Sequence, residues 1–427
     1  MRLRRICRIK KLFALLLCLV LMVPALALAE TEITLWTYPI GSWSKSDVVD
    51  EIVANFNAVY PDIKVKVEYL DYTSGDDQVT AAIEAGTTPD IIFEGPERLV
   101  ANWGAAGKMM DISDLWTEET SADIAAAGES MKGICTAADG NIYLYPLCMT
   151  THCMVIDKAV FEATGAMQYI NEDRTWTTEQ FQNAMKVLAD AGYMPGIVYC
   201  GGQGGDQGTR ALVYNLYSAQ FANAEHTEYT IGSEAGIKGL TLLQKMVNEG
   251  TLVADPAIVA GDAIALFANG TTPTCFCWNA ALLETNKASL AEGIEPYAVT
   301  FPSDDGVPVL DGGIWGFGLF ANDDAAKVEA AKKFIQFVCD DPVQGPKSTY
   351  ATGYFPTKAS FGDIYTGTEK ASNADYGMFT QYLGDIYQVT PGWAAQRTEW
   401  WNLLQRIFAG GDVASEVAVY NANVNGK

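Results

Sequence analysis

The side chains best placed for chemistry in this chain are aromatic and charged residues that follow short apolar runs. Tyr38 and Trp43 come after Ile33, Leu35 and Trp36, while Glu94, Glu97 and Arg98 come after Ile91, Ile92 and Phe93. Aromatic faces stack on apolar ligand surfaces, and carboxylates and a guanidinium hydrogen-bond polar groups, so this set is equipped for recognition. A metal centre is not expected. The chain holds only His152 and His226, and neither Cys148 with Cys153 nor Cys275 with Cys277 has the two-residue spacing usual in zinc sites. Phosphate capture would favour a basic or glycine-lined helix start, and apart from Arg98 these loops offer little of that. No cofactor is expected.

The elements that must hold these loops are legible in the hydrophobic pattern. The apolar positions 33–38 read as a buried strand that ends at Pro39 and Gly41. Ser46 then leads Val48, Val49, Ile52, Phe56 and Val59 at helical spacing, and Pro61 ends the helix. Ile63, Val65, Val67 and Tyr69 alternate with Lys64, Lys66 and Glu68, the period of a half-buried strand. Strand, helix and strand in this order make a right-handed parallel unit. The pattern repeats with a helix over 78–85, Gly86 as its C-cap and a strand over 90–93. The fold class is therefore α/β, and ligands of such sheets bind beyond the carboxyl ends of the strands. Here those ends are the loops 38–43, 71–76 and 94–98. Further strands are predicted over 141–147 and 154–157. Thr177 and Gln180 fit a capping box ahead of Phe181, Met185 and Leu188, and apolar spacing predicts helices over 236–249, 325–339 and 399–409.

Residues 1–29 carry Arg2, Arg4, Arg5, Arg8, Lys10 and Lys11, an apolar run over 12–23, Pro24, and the ending Ala27-Leu28-Ala29. This is the layout of a secretory signal cleaved after Ala29, and its apolar run is well short of the ~20 residues a bilayer span needs. Cys18 is a poor lipoprotein site, because it lies mid-run behind Leu17 where a small residue is wanted. Cleavage removes six of the 28 basic residues and none of the 52 acidic ones, leaving a formal charge of −30. Such acidity argues against nucleic acid or anionic lipid as a partner, and most of it reads as a solubility feature. No second long apolar segment follows, so a soluble protein in the periplasm or at the cell surface is expected. The seven remaining cysteines read as small buried thiols in a chain too long to need a disulfide framework. The length implies two domains or one large one, and the absence of a low-complexity linker makes any boundary a structural crossover.

Several segments, in a consistent order, resemble family 1 extracellular solute-binding proteins, the carbohydrate receptors of ABC importers related to the maltose receptor. They are Ile33-Thr34-Leu35-Trp36, Thr88-Pro89-Asp90-Ile91-Ile92-Phe93, Tyr145-Pro146 followed by Ile156-Asp157-Lys158, Thr175-Trp176, Leu266-Phe267-Ala268-Asn269-Gly270 ahead of Trp278, Gly312-Gly313-Ile314-Trp315-Gly316, and Ala330-Ala331-Lys332-Lys333-Phe334. The resemblance implies a type II periplasmic-binding fold with two α/β lobes, each a mostly parallel sheet flanked by helices, and a ligand cleft between them. It puts the N-lobe at 30–147 and 297–342, the C-lobe at 148–296 and 343–427, and the first crossing near 147–151. Lobes hinged on crossing strands would close around a ligand. A monomer is implied that captures a carbohydrate, expected to be an oligosaccharide, and passes it to the permease subunits of an ABC importer without catalysis.

Sugars present apolar C–H faces and a ring of hydroxyls, which call for aromatic platforms together with carboxylates, amides or Arg. Under the resemblance Trp278 stands where the family commonly has a stacking tryptophan, and Glu97-Arg98 matches an Asp-Arg pair that contacts sugar in maltose-type receptors. Thr150 falls where those receptors use a Glu, a departure that argues against a maltose-like ligand. Trp315 lies among glycines that let a ligand approach the backbone. Tyr38, Trp43, Glu94, Tyr354 and Trp393 complete the expected site. Trp36 reads equally as core or contact. Trp400 and Trp401 point to different sides of one helix, so at most one of them faces the cleft. Glycerol phosphate and polyamine remain as alternative ligands. A glycoside hydrolase would also be exported, aromatic-rich and acidic, but it needs two facing carboxylates on a rigid scaffold, commonly an eightfold strand–helix barrel, and no such alternation is present.

Overall fold

The predicted strand–helix–strand start is present in the computed structural model, which describes residues 30–128, 131–202, 204–384 and 390–426. The signal segment lies outside those residues. Strand β1 (Thr31–Thr37) pairs in parallel with β2 (Ile63–Tyr69), Leu35 lying opposite Val67, and α1 (Ser46–Val59) joins them. Val49, Ile52 and Phe56 form the buried face of α1, the stripe that the helical spacing requires. β1 also pairs in parallel with β3 (Ile91–Glu94), which follows α2 (Gly75–Ala85). Gly86 caps α2 in the left-handed conformation, at φ 67°.

The strands downstream are β4 (Tyr145–Thr151), β5 (Cys153–Asp157), β6 (Ile197–Tyr199), β7 (Val253–Asp255), β8 (Thr274–Trp278), β9 (Pro296–Val299), β10 (Gly312–Leu319) and β11 (Phe355–Pro356). The first sheet has the order β11-β4-β10-β3-β1-β2, with β10 antiparallel to both β3 and β4. A second sheet, β8-β5-β9, is antiparallel throughout, and β6 and β7 form a separate parallel pair. Parallel pairing is thus narrower than expected. The strand–helix–strand signal is local in sequence, whereas the antiparallel pairs join distant segments such as Cys153 and Trp278, 125 positions apart.

Among the helices, α3 (Thr178–Asp190) opens on the predicted capping box: Gln180 N–H donates to Thr177 Oγ1 at 3.2 Å and Thr177 N–H to Gln180 Oε1 at 2.6 Å. Then come α4 (Asp206–Leu216), α5 (Glu234–Asn248), α6 (Ala325–Asp340), α7 (Gln344–Thr352) and α8 (Trp393–Phe408). Three of these cover the helices predicted over 236–249, 325–339 and 399–409. All seven cysteines of the described residues are free and buried. Among the same residues no helix is long and apolar enough to cross a membrane.

His152 is the single residue between β4 and β5, and there the chain passes from the first sheet to the second. It returns between Val299 and Gly312. The borders expected after 147 and 296 therefore move, because β4 stays in the first sheet to Thr151 and β9 belongs to the second. The border expected after 342 moves as well. Thr349 in α7 donates to the Leu147 carbonyl at 3.2 Å, and β11 pairs with β4, so both extend the first lobe. Every residue of β4 and β5 is buried, and the polar run Thr150-Thr151-His152 at the crossing is enclosed with them.

Candidate functional site

All three loops beyond β1, β2 and β3 converge on one cavity of about 260 Å³ between the sheets. They contribute Pro39 and Gly41, Tyr72, and Glu94, Glu97 and Arg98. Gly41 has φ 52°, and a side chain there would collide with the Thr352 carbonyl, so this turn requires glycine. The crossing segments supply His152, Asp311 and Gly312, and the second lobe supplies Asp206, Arg210, Asn279, Trp393 and Arg397.

On the first-lobe wall Arg98 is held from both sides. Its Nε and Nη2 donate to Asp76 at 2.6 and 3.0 Å, and its Nη1 donates to Glu94 at 2.8 Å. Below the guanidinium, Tyr38 and Tyr72 stack at 5.2 Å, and the Tyr38 hydroxyl donates to Asp76 at 2.6 Å. Burial pushes the Glu94 carboxyl up to about 7 despite the opposing charge of Arg98, and burial likewise pushes Glu97 up to about 6. Asp76 goes the other way, since the hydrogen bonds and charge of Arg98 outweigh the effect of burial and hold it below its ordinary value.

The opposite wall begins at α4, which follows Gly204 and Gly205, both at positive φ. Asp206 and Arg210, one turn apart on α4, form a buried ion pair. Arg397 of α8 donates to the same Asp206 carboxylate from Nε at 3.2 Å and Nη2 at 3.1 Å. Trp393 lies under both guanidinium groups, at 4.9 Å from Arg210 and 5.5 Å from Arg397. Between the walls Trp315 stacks on Tyr354 at 5.0 Å. Its indole passes close to Gly313, where a Cβ would collide with the ring. The cavity thus offers aromatic faces flanked by charged groups fixed in ion-pair networks, an arrangement suited to a ligand with apolar faces and many hydroxyls.

Six of the residues expected from the sequence line this cavity: Glu94, Glu97, Arg98, Trp315, Tyr354 and Trp393. Four do not. Trp278 is fully buried, packed edge-on against Phe267, with its indole N–H donating to the Tyr376 hydroxyl at 2.8 Å. Trp43 is buried against Phe93 and Phe317, and Tyr38 lies beneath Arg98 as a support. Thr150, 1% exposed, is enclosed in the interior of β4. Trp36, Trp400 and Trp401 also lie outside the lining, the last two buried in α8. The sequence reading missed Asp206, Arg210 and Arg397. A signal for the first two exists: an Asp and an Arg four apart stand just after two glycines and ahead of Ala211, Leu212 and Val213, so the pair rides on a helix that is apolar around it.

Two sheets joined by crossing strands, with a charged and aromatic cleft between them, define a two-lobed binding protein. The chain belongs to the bacterial extracellular solute-binding protein family, whose model matches residues 51–380. Membership places it among exported proteins that work outside the cytoplasm. A solute-binding protein of an ABC transporter from Thermotoga lettingae, bound with α-D-tagatose, shares the fold at a TM-score of 0.73 and 16% identity, over 93% of this chain and 99% of that one. An ABC substrate-binding protein from Listeria monocytogenes, in complex with cycloalternan, superposes at 0.73 with 18% identity over 93% and 98%. An uncharacterized lipoprotein in the oleD 5' region of Streptomyces antibioticus is 26% identical over 154 residues, 35% of this chain. That match spans only 33% of the relative's own length.

Proposed function

We propose that this protein captures a carbohydrate, a short oligosaccharide or a single sugar, in the cleft and delivers it to the permease of an ABC importer. The observation that carries this reading is the Trp315–Tyr354 stack set between two buried charge networks, Arg98 with Asp76 and Glu94, and Asp206 with Arg210 and Arg397. A flat aromatic face takes the C–H side of a sugar ring, and the fixed charges take its hydroxyls. The sugar-bound structural neighbours support the same choice. Glu94, Glu97, Arg98, Trp315, Tyr354 and Trp393 are the contacts expected from the sequence, joined now by Asp206, Arg210 and Arg397. The protein works as a monomer, and the signal is cleaved after Ala29.

The test is a thermal-shift screen of the mature protein against monosaccharides, oligosaccharides, glycerol phosphates and polyamines, since a bound ligand raises the melting temperature. A carbohydrate is expected to give the largest rise. A rise with spermidine and with no sugar would remove the carbohydrate assignment. Glu94 and Glu97, with carboxyls raised to about 7 and 6, also meet one requirement of a glycosidase acid. Binding without hydrolysis is favoured because Glu94 is tied up by Arg98. Release of reducing sugar from oligosaccharides by the purified protein would reverse that preference.

A further inference from the structure

His152 ties the outgoing crossing to the returning one. Its N–H donates to the carbonyl of Asp311, on the returning segment, at 2.7 Å. The side chain is 7% exposed and forms part of the cavity wall. Its Nδ1 is sealed from solvent, and neither ring nitrogen hydrogen-bonds a described residue. Buried polar groups are nearly always paired, so an imidazole left open beside a cavity calls for a partner that enters the cavity.

We propose that His152 is a ligand-binding residue whose imidazole takes a hydroxyl of the bound carbohydrate, at the point that ties the two lobes together. The proposal rests on the carbohydrate reading above. Burial, and then the charge of Arg210, push the imidazole down to about 4, so it is neutral at the pH where the receptor works. A neutral imidazole offers one N–H and one lone pair. A hydroxyl, both donor and acceptor, can satisfy either, whereas an ammonium can only donate and a fully ionised phosphate can only accept. The neighbouring charges fit this choice: the charge of Arg210 on α4 acts on the ring and disfavours a cation there, while Asp311 on the returning segment also lines the cavity and disfavours an anion. A ligand held by His152 also bears on the joint between the crossings, which couples occupancy to the angle between the lobes.

The chain has two histidines, His152 and His226, so ¹⁵N-histidine labelling gives a spectrum of two imidazoles. D-tagatose, maltotriose and ribitol are titrated in turn into the labelled mature protein, with melting temperature measured in parallel. The carbohydrate that raises the melting temperature is expected to move the His152 ring signals and to leave those of His226 in place. His152→Ala should then weaken its binding about tenfold or more, while His152→Gln, which keeps a polar atom near the position of Nε2, should bind within a few-fold of the parent. If a carbohydrate stabilises the protein and the His152 signals stay fixed, the role of His152 is wrong and the carbohydrate reading stands. If none of the three nor any other sugar of the screen raises the melting temperature while spermidine does, the carbohydrate reading falls and this role falls with it.

Discussion

Trp315 lines the cavity stacked on Tyr354, whereas Trp278 gives its ring to the core and its N–H to Tyr376. Replacing Trp315 with Ala is expected to weaken carbohydrate binding about tenfold or more, with little change in the urea midpoint. Trp278→Ala should instead cost roughly 3–5 kcal/mol of stability, read as a fall in that midpoint. The titratable groups add a pH signature. The Glu94 carboxyl, raised from 4.5 to about 7, binds more protons in the folded protein than in the unfolded chain across that window, so its contribution falls as pH rises through it. His152, lowered from 6.5 to about 4, acts oppositely, and its contribution falls as pH drops through that interval. Melting temperatures followed from pH 4 to 8 should lose part of their decline on the alkaline side in Glu94→Gln and part of their decline on the acid side in His152→Asn.

Loops after strands are local features, and that is why the first-lobe wall was legible in the sequence. Ile33 to Tyr38, the alternation from Ile63 to Tyr69 and the short run to Phe93 placed Glu94, Glu97 and Arg98 at the ends of parallel strands without any knowledge of the rest. The second wall is built from α4 and α8, whose Asp206 and Arg397 are 191 positions apart, and a helical arginine read alone looks like surface charge. Trp278 misled for a different reason. Every residue of β8 is buried, and the side chain that reaches the cavity is the next one, Asn279, which also caps the following helix by accepting from Leu282 N–H at 2.9 Å. Two substitutions test how elements hold the site. Gly313→Ala in β10 should displace the Trp315 ring and weaken carbohydrate binding, as measured by calorimetry. Thr177→Ala removes half of the capping box of α3 and should lower stability by about 1 kcal/mol, leaving affinity unchanged.

For the whole molecule the shape of the chain path matters more than any single contact. The chain crosses at His152, between Val299 and Gly312, and again between β11 and α8, which leaves two bodies joined at these segments, a geometry that permits rotation about the joint. Ligand held by both walls should draw them together, so small-angle scattering is expected to show a smaller radius of gyration with bound carbohydrate than without. An unchanged radius would mean that the cleft binds without closing. The strong negative charge bears on solubility rather than on the ligand, since the charges lining the cavity are of both signs. The central claim, that the cleft between the lobes is a carbohydrate site, meets its most direct test in calorimetric titration of the parent and of Trp315→Ala with the sugar that most raises the melting temperature. The expected result is one sugar per chain in the parent and little or no binding in the variant. Equal binding by both proteins would contradict it.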